Sequence, residues 1–317
     1  MYQVKKTARS EFIPIRNTTY HVWLWGEPAA DKTPLVMVHG WMDVAASYQF
    51  VVDALADDHF VIAPDWRGYG QTPNAGADNF WFPDYLADLD FLLDHYAADT
   101  PVNLVGHSMG GNVVMLYAGV RPGRIRRLVN LEGFGMPATV PAQAPGRYAK
   151  WIDELKKLHR GELSMHSYDS LDGVARRLIK TNPRLPQDKA DWLARHWAAP
   201  NGQGQWVIQG DPAHKISNAQ LYRVDEVQEI YKRITAPVLA VEASESSLDV
   251  WWKGAFTLEQ YHERIKAVPD VRIARVENAG HMMHHDQPEV LAHMIEGFLR
   301  EKIAPSASGL PEIPPGL

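Results

Sequence analysis

The sequence predicts an α/β fold in which helices flank a mostly parallel sheet. Two observations predict it. Short, valine-rich apolar runs recur along the chain, and stretches with apolar residues at helical spacing lie between them. Alternation of buried strands and helices is typical of parallel sheets with right-handed crossovers.

The strands are predicted in the order of the chain. An antiparallel hairpin comes first, because "EFIPIRN" and "HVWLWGE" alternate apolar and polar residues. Runs that are apolar on both faces then indicate central strands. These runs are "PLVMVHG" (34–40), "FVIAPDWRG" (60–68), "VNLVGHS" (102–108), "RLVNLEG" (127–133), "PVLAVEAS" (237–244) and "VRIARVENAGH" (271–281). Helices are predicted for "FPDYLADLDFLLDHYAA", which begins at Pro-Asp, and for "GGNVVMLYAGVRPGRI", which ends at Arg-Pro-Gly.

This alternation stops between residues 135 and 235. The segment contains helix-like stretches and no convincing buried strand, and four of the tryptophans lie in it: Trp151, Trp192, Trp197 and Trp206. A connection of this length is usually a folded unit, so we predict a helical cap at 135–235 inserted into a core made of 1–134 and 236–303. The alternative is a set of additional helices on the flank of the sheet. Residues 304–317 are rich in Pro, Gly and Ser, which predicts a flexible tail.

Composition excludes several classes of function. The 317 residues carry a formal net charge of -6, with no basic stripe for a phosphate backbone, so nucleic acid is not expected as a partner. There is no cysteine, which excludes disulfides, thiolate catalysis and cysteine-bound metal. No run has the length of a signal peptide or a membrane span. A soluble cytoplasmic protein without membrane association is expected, and the sequence indicates no oligomeric state.

The stretch "LVGHSMGGNV" (104–113) places Ser108 between glycines, directly after a predicted strand and before a predicted helix. A strand, a tight turn and a helix are the context in which G-x-S-x-G presents a nucleophilic serine. Gly106 and Gly110 would leave room for the strained turn. Ser108 is therefore the candidate nucleophile, and an ordinary glycine-rich turn is the alternative.

A serine hydroxyl needs a base, which is usually an imidazole. The candidate is His281 in "VENAGHMMHHDQPEV", because it follows the Ala-Gly turn after the last predicted strand. A metal cluster of His281, His284, His285 and Asp286 is the alternative, but the local spacing matches no familiar zinc signature. No metal and no cofactor are expected.

The third element is "VMVHGWMDV", in which a strand ends at His39-Gly40. The backbone N–H groups of Trp41 and Met109 could face the same crevice as Ser108. Together they would form an oxyanion hole with two donors.

Taken together, "HGW", "PDWRGYGQT", "GHSMGG" and "AGHMMHHDQP" resemble the α/β-hydrolase superfamily in order and spacing. The resemblance covers 12–134 and 236–302 and is nearest to the cap-bearing esterase, haloalkane dehalogenase and serine-hydrolase-like branches. It implies eight mostly parallel strands, a cap between strands six and seven, and a Ser-acid-His triad. The related dehalogenases and epoxide hydrolases use an aspartate at the elbow, so a serine there implies acyl transfer. The resemblance also implies that Asp65 is structural.

The triad acid departs from the usual family pattern. The position of the usual aspartate after strand seven is occupied by Ser246 in "PVLAVEASESSLDV". Glu132 follows strand six directly, where some dehalogenase-like members place a glutamate. A carboxylate buried at a strand end needs a partner, and the imidazole N–H would supply one. We therefore expect Glu132 to orient His281, with Glu245 and then Asp249 as alternatives; Glu132 bound only by backbone amides of the cap is the structural alternative.

These residues predict a hydrolase that cleaves small to medium, apolar or aromatic carboxylic esters, with Trp41 and Phe134 in the substrate pocket. The expected partner is a small-molecule ester. Lactones and carbon-carbon bonds are alternative substrates, since related folds cleave them with the same triad. A ligand receptor with low turnover and an inactive scaffold are the alternatives outside catalysis.

Overall fold

The computed structural model describes residues 2–246 and 248–301, except for the side chain of Asp249. Its main sheet has eight strands in the order β1-β2-β4-β3-β5-β6-β10-β11. Their bounds are β1 (Arg9–Ile15), β2 (Thr18–Trp25), β3 (Leu35–Val38), β4 (Val61–Pro64), β5 (Val102–His107), β6 (Ile125–Leu131), β10 (Val238–Ala243) and β11 (Val271–Val276). Strands β1 and β2 form the antiparallel hairpin, β2 is antiparallel to β4, and every other pair is parallel. The predicted α/β fold and its mostly parallel sheet are confirmed.

Helices cover both faces of this sheet. Within the described residues the helices of the chain, including α4 to α6 in the insertion between β6 and β10, are α1 (Gln49–Ala54), α2 (Phe82–Ala97), α3 (Met109–Val120), α4 (Ala144–His159), α5 (Leu171–Thr181), α6 (Gln187–Trp197), α7 (Val224–Tyr231), α8 (Leu248–Trp252), α9 (Leu258–Ile265), α10 (Met283–Asp286) and α11 (Pro288–Arg300). Successive strand residues point to opposite faces, so Leu104 packs in the core on one face and Val105 in the core on the other. Each apolar run is buried on both sides for this reason.

The insertion between β6 and β10 differs from the predicted helical cap in two ways. It contains a small antiparallel sheet of β7 (Ser167–Tyr168), β8 (Ala198–Pro200) and β9 (Trp206–Ile208), in the order β7-β9-β8. These strands have two or three residues each, too few for an alternating pattern to be visible in the sequence. Most of the insertion is helical, and the sequence pattern did not reveal these three short strands.

The last helix of the insertion belongs to the core. Val227 and Tyr231 of α7 lie in the same buried cluster as residues of α3 and the main sheet. A side chain added at Gly119 of α3 would overlap the carbonyl oxygen of Ile230. Helix α7 therefore packs against the core, although it lies within the segment 135–235 that is predicted as the cap.

Two further expectations concern the carboxyl-terminal tail and membrane-spanning segments. The predicted flexible tail, 304–317, lies outside the described residues, as do the last two residues of the predicted core. Among the described helices, none has both the length and the apolar composition that crossing a bilayer requires.

The amino-terminal end of α3 lies directly on the carboxyl end of β3. A Cβ added at Gly110 would overlap the carbonyl oxygen of Val38 and lie 2.6 Å from that of His39. This close approach brings the end of β3 beside the turn that follows β5. The carboxyl ends of the parallel strands β3, β5, β6 and β10 therefore share one edge of the sheet.

We predict that Gly110→Ala destabilises the protein, because both neighbouring groups are backbone atoms that cannot move independently. The expected loss is about 1–3 kcal/mol of unfolding free energy, measured by urea denaturation. Gly146→Ala is the matched control: an added Cβ there meets nothing within 4 Å on α4. It should leave the stability unchanged or raise it by up to about 1 kcal/mol. Equal stability of the two variants would contradict the packing described for α3.

Candidate active site

Ser108 occupies a strained turn between β5 and α3. Its backbone has φ 54° and ψ -114°, a conformation that residues with a side chain rarely adopt. Its N–H donates a hydrogen bond to the carbonyl oxygen of Leu131, at 2.8 Å, which fixes the turn against β6. Strain of this kind persists only where the surrounding structure imposes it, and it is concentrated at functional sites. The predicted turn geometry is present at Ser108.

Glu132 follows β6 in a second turn with positive φ, 51°. Its backbone N–H donates to Val241 of β10 at 3.0 Å. The side chain of Asn130 closes the turn, accepting from the Gly133 N–H at 2.9 Å and donating to the Gly133 carbonyl at 3.0 Å. These bonds direct the carboxylate of Glu132 toward the edge where the parallel strands end.

Glu132 and His281 form the central pair of the site. Nδ1 of His281 lies 2.7 Å from Oε2 of Glu132, and the Glu132 side chain is fully buried. The other carboxylate oxygen, Oε1, accepts the backbone N–H of Ala243 at 3.0 Å. An ionised carboxylate can accept hydrogen bonds but cannot donate them. Nδ1 is therefore the ring nitrogen that carries the proton. The lone pair of the neutral ring is therefore on Nε2.

The two alternative acids are placed differently. The Glu245 side chain is 63% exposed and forms an ion pair with Arg184. Asp249, the third candidate, has a side chain that lies outside the described part of the structure. Glu132 is thus the acid that the described residues bring to His281.

The turn after β3 lies beside Ser108. A Cβ added at Gly40 would be 3.0 Å from the Cβ of Ser108. Within residues 2–246 and 248–301, the N–H groups of Trp41 and Met109 donate to no acceptor. Two unengaged donors beside a strained serine are what an oxyanion hole requires.

Two indole rings are exposed near His281 and Ser108. Trp41, next to Gly40, is 54% exposed, and Trp251 of α8 is 47% exposed. The Trp251 ring packs edge-to-face on the imidazole of His281, with centroids 4.1 Å apart. Phe134, which we expected in the pocket, is 5% exposed and packs edge-to-face on Tyr261 in the core. Trp251 was not among the predicted residues, although "DVWWK" stands just after the strand-seven turn in the sequence.

The histidines that follow His281 do not gather around one point with it. His284 and His285 are buried on α10, whereas His281 turns to Glu132. Asp286 accepts from the side chain of Asn182 at 2.7 Å and from the Gly280 N–H at 2.8 Å. The local four-residue metal cluster that was considered as an alternative is therefore not formed.

The carboxylate of Asp65 ties loops together, as expected. It accepts the N–H groups of Ala45, at 2.8 Å, and Gln71, at 3.0 Å, and lies 2.7 Å from Nδ1 of His21. The contacts with Ala45 and His21 are buried, and the contact with Gln71 is partly buried. Asp65 therefore supports the site without facing it.

Several known proteins resemble this chain in sequence or in fold. A family model of the alpha/beta hydrolase fold matches residues 33–288. A serine hydrolase-like protein of Danio rerio is 26% identical over 301 residues, which are 93% of this chain and 90% of that protein. A cis-3-alkyl-4-alkyloxetan-2-one decarboxylase of Shewanella oneidensis is 27% identical over 277 residues, 84% of this chain and 82% of that protein. The thioesterase domain from the curacin biosynthetic pathway shares the fold, with a TM-score of 0.79 at 21% identity over 92% of this chain and 99% of that domain.

The insertion reaches the site through His214. The backbone carbonyl of His214 accepts the indole N–H of Trp41 at 3.1 Å. Its ring stacks between Tyr69 and Phe80, with centroids 3.8 and 3.7 Å away, and Nε2 donates to the carbonyl of Arg67 at 3.2 Å. Burial lowers the pKa of His214 to about 3. The neutral ring is thus the form that holds the insertion to the core beside Trp41.

A pH dependence of stability follows from this shift. The unfolded chain takes up a proton near the ordinary pKa of 6.5, whereas the folded chain does so only near 3. The contribution of His214 is therefore complete above pH 6.5 and is lost as the pH falls toward 3, with a slope of up to about 1.4 kcal/mol per pH unit. Urea unfolding between pH 7 and 4 should show a smaller slope for His214→Gln than for wild type. His95→Gln, at an exposed histidine, should leave the slope unchanged, and equal slopes in all three proteins would contradict the assignment.

Proposed function

Because the chain belongs to the α/β-hydrolase fold family, we propose that it is a serine hydrolase that cleaves carboxylic esters through an acyl-enzyme intermediate. The observation that carries the proposal is the pair of His281 and Glu132, joined at 2.7 Å beside the strained turn at Ser108. A buried carboxylate holds the imidazole in the tautomer whose Nε2 can take a proton from a serine hydroxyl. The names of relatives such as the serine hydrolase-like protein of Danio rerio support the same class of reaction.

In the proposed reaction, Oγ of Ser108 attacks the ester carbonyl carbon and its proton passes to Nε2 of His281. The N–H groups of Trp41 and Met109 stabilise the negative charge on the former carbonyl oxygen. The tetrahedral intermediate collapses, the bond to the leaving oxygen breaks, and the imidazolium gives its proton to that oxygen. Water, deprotonated by His281, then attacks the acyl carbon, the bond between that carbon and Oγ breaks, and the imidazolium returns its proton to Oγ, which releases the carboxylic acid and free Ser108.

The proposed substrates are small to medium esters with an apolar or aromatic portion. The support is the exposed pair of indoles, Trp41 and Trp251, one beside Gly40 and one against His281. Exposed aromatic rings present large apolar faces that gain free energy when a ligand covers them. The expected partner is therefore a small molecule.

Lactones are a second candidate class. The relative in Shewanella oneidensis is named for an oxetan-2-one, which is a four-membered lactone. Attack of Oγ of Ser108 on a lactone carbonyl would use the same groups of the protein as attack on an ester. The leaving oxygen would remain attached to the acyl group, because both belong to the same ring. Parallel assays on short nitrophenyl esters and on an alkyl-substituted oxetan-2-one decide between the two classes. Rapid turnover of either would also exclude a receptor with low turnover and an inactive scaffold.

We predict that Ser108→Ala lowers kcat for a short nitrophenyl ester by about 10⁴-fold or more, because the nucleophile and base act as a unit. Ser246→Ala is the matched control, because it removes another serine hydroxyl, at the position of the usual aspartate. This substitution should leave kcat unchanged. Steady-state assays with stopped-flow detection of the nitrophenol burst measure both. Wild-type activity in Ser108→Ala would exclude the proposed nucleophile.

We predict that Glu132→Gln lowers kcat by about 10³ to 10⁴-fold, because the amide does not hold Nδ1 as the protonated nitrogen or stabilise the imidazolium. Glu245→Gln, which removes an exposed carboxylate, should keep kcat within about twofold of wild type. Circular dichroism melts show whether each variant is folded at the assay temperature. A larger loss in Glu245→Gln than in Glu132→Gln would transfer the role of the acid to the strand-seven turn.

A further inference from the structure

A second group of buried polar side chains lies behind His281, away from Glu132. Asp43 comes from the turn after β3, His107 ends β5, and His284 lies in α10; their exposed fractions are 3%, 2% and 0%. One ligand atom from each lies within 4.8 Å of the other two. The proposed reaction uses none of these side chains.

One candidate ligand atom of each side chain has no hydrogen-bond partner among the described residues: Oδ2 of Asp43, Nδ1 of His107 and Nε2 of His284. Buried polar atoms are almost always paired, and a buried carboxylate oxygen needs a cation or donors beside it. Three such atoms at one point indicate a ligand that binds all of them.

In His107 and Asp43 the second polar atom has a partner that determines what the first can do, whereas Nδ1 of His284, like its Nε2, has no partner among the described residues. Nε2 of His107 lies 2.7 Å from the carbonyl oxygen of His281, which only accepts, so Nε2 carries the proton and Nδ1 has a free lone pair. The other oxygen of Asp43, Oδ1, accepts the hydroxyl of Ser47, which directs Oδ2 inward. A histidine that donates one ring N–H to a backbone carbonyl while its other nitrogen is free has the arrangement of a metal ligand.

The distance between Asp43 and His284 agrees with a shared ion. Oδ2 and Nε2 are 3.5 Å apart, longer than the 2.7–2.9 Å of a charge-assisted hydrogen bond. Two ligands at about 2.0–2.1 Å from a tetrahedral Zn²⁺ ion stand about 3.3–3.4 Å apart. We propose that Asp43, His107 and His284 form a buried Zn²⁺ site, with a fourth position for water.

A second group of metal-ligating types provides the matched control. Asp57, His59 and Glu296 also lie within 4.8 Å of one another. Their atoms are already paired: the two Glu296 oxygens accept the N–H groups of Ala56 and Asp57, and the Asp57 carboxylate binds Arg300. This group is expected not to bind Zn²⁺ at the concentrations that fill the buried site.

The test is Zn²⁺ binding by the full-length chain, which does not depend on catalytic activity. Chelator-treated protein is titrated with ZnCl₂ by calorimetry, and the metal retained after dialysis is counted by mass spectrometry. We expect one Zn²⁺ per chain in wild type and His59→Asn. Asp43→Asn and His284→Asn should weaken binding by at least about 100-fold, since changes outside the first ligand sphere already cost 10–100-fold. Visible absorption of the Co²⁺-loaded protein should show the bands of a four-coordinate site in wild type and lose them in these variants.

Equal Zn²⁺ affinity in wild type, Asp43→Asn and His284→Asn would overturn the proposal, as would absence of binding in folded wild type. If the two variants do not fold, His107→Gln removes the ligand nitrogen and retains a donor for the His281 carbonyl. Anomalous scattering at the zinc edge from wild-type crystals needs no variant: a peak between the three side chains supports the site, and a peak elsewhere or none contradicts it.

Discussion

The hydrogen bond between Nδ1 of His281 and the buried carboxylate of Glu132 is the interaction on which the candidate site depends. An ionised carboxylate without solvent is unstable unless its lone pairs are filled, and His281 and the Ala243 N–H fill them. The bond also determines which nitrogen of the ring carries a proton. In the proposed reaction, the identity of the base, the route of the proton and the need for an acid at the end of β6 all follow from this one contact.

Strained backbone at the sheet edge makes that contact possible. Met42, Ser108 and Glu132 all have φ between 51° and 54°, and none of them is glycine. Each such residue costs on the order of 1–3 kcal/mol, and Ser108 and Glu132 are held in this conformation by hydrogen bonds to neighbouring strands. The Ser108 N–H binds β6 and the Glu132 N–H binds β10, so the paired strands of the sheet set the spacing of the two turns. The paired strands of the parallel sheet therefore determine where Ser108 and Glu132 lie.

Much of this arrangement was predictable from the sequence because its determinants are local. The elbow at Ser108 is a motif of adjacent residues, and an isolated Glu132 after an apolar strand implies a buried partner. The short strands of the insertion were not predictable, since two or three residues show no period. The group of Asp43, His107 and His284 was not predictable either, because its members come from three separate segments and meet only after the sheet has formed. The cluster of His281, His284, His285 and Asp286 that was considered as an alternative matched no familiar zinc signature, and the fold does not bring these side chains together.

Covalent labelling tests the central claim most directly, since it reports on an activated serine without any choice of substrate. Folded protein is treated with a fluorophosphonate, and the adduct is located by intact-mass and peptide mapping. The account predicts one adduct, on Ser108, formed at a rate that falls sharply when Glu132 is replaced by Gln. No adduct on the folded wild-type chain, or labelling that does not depend on Glu132, would contradict it.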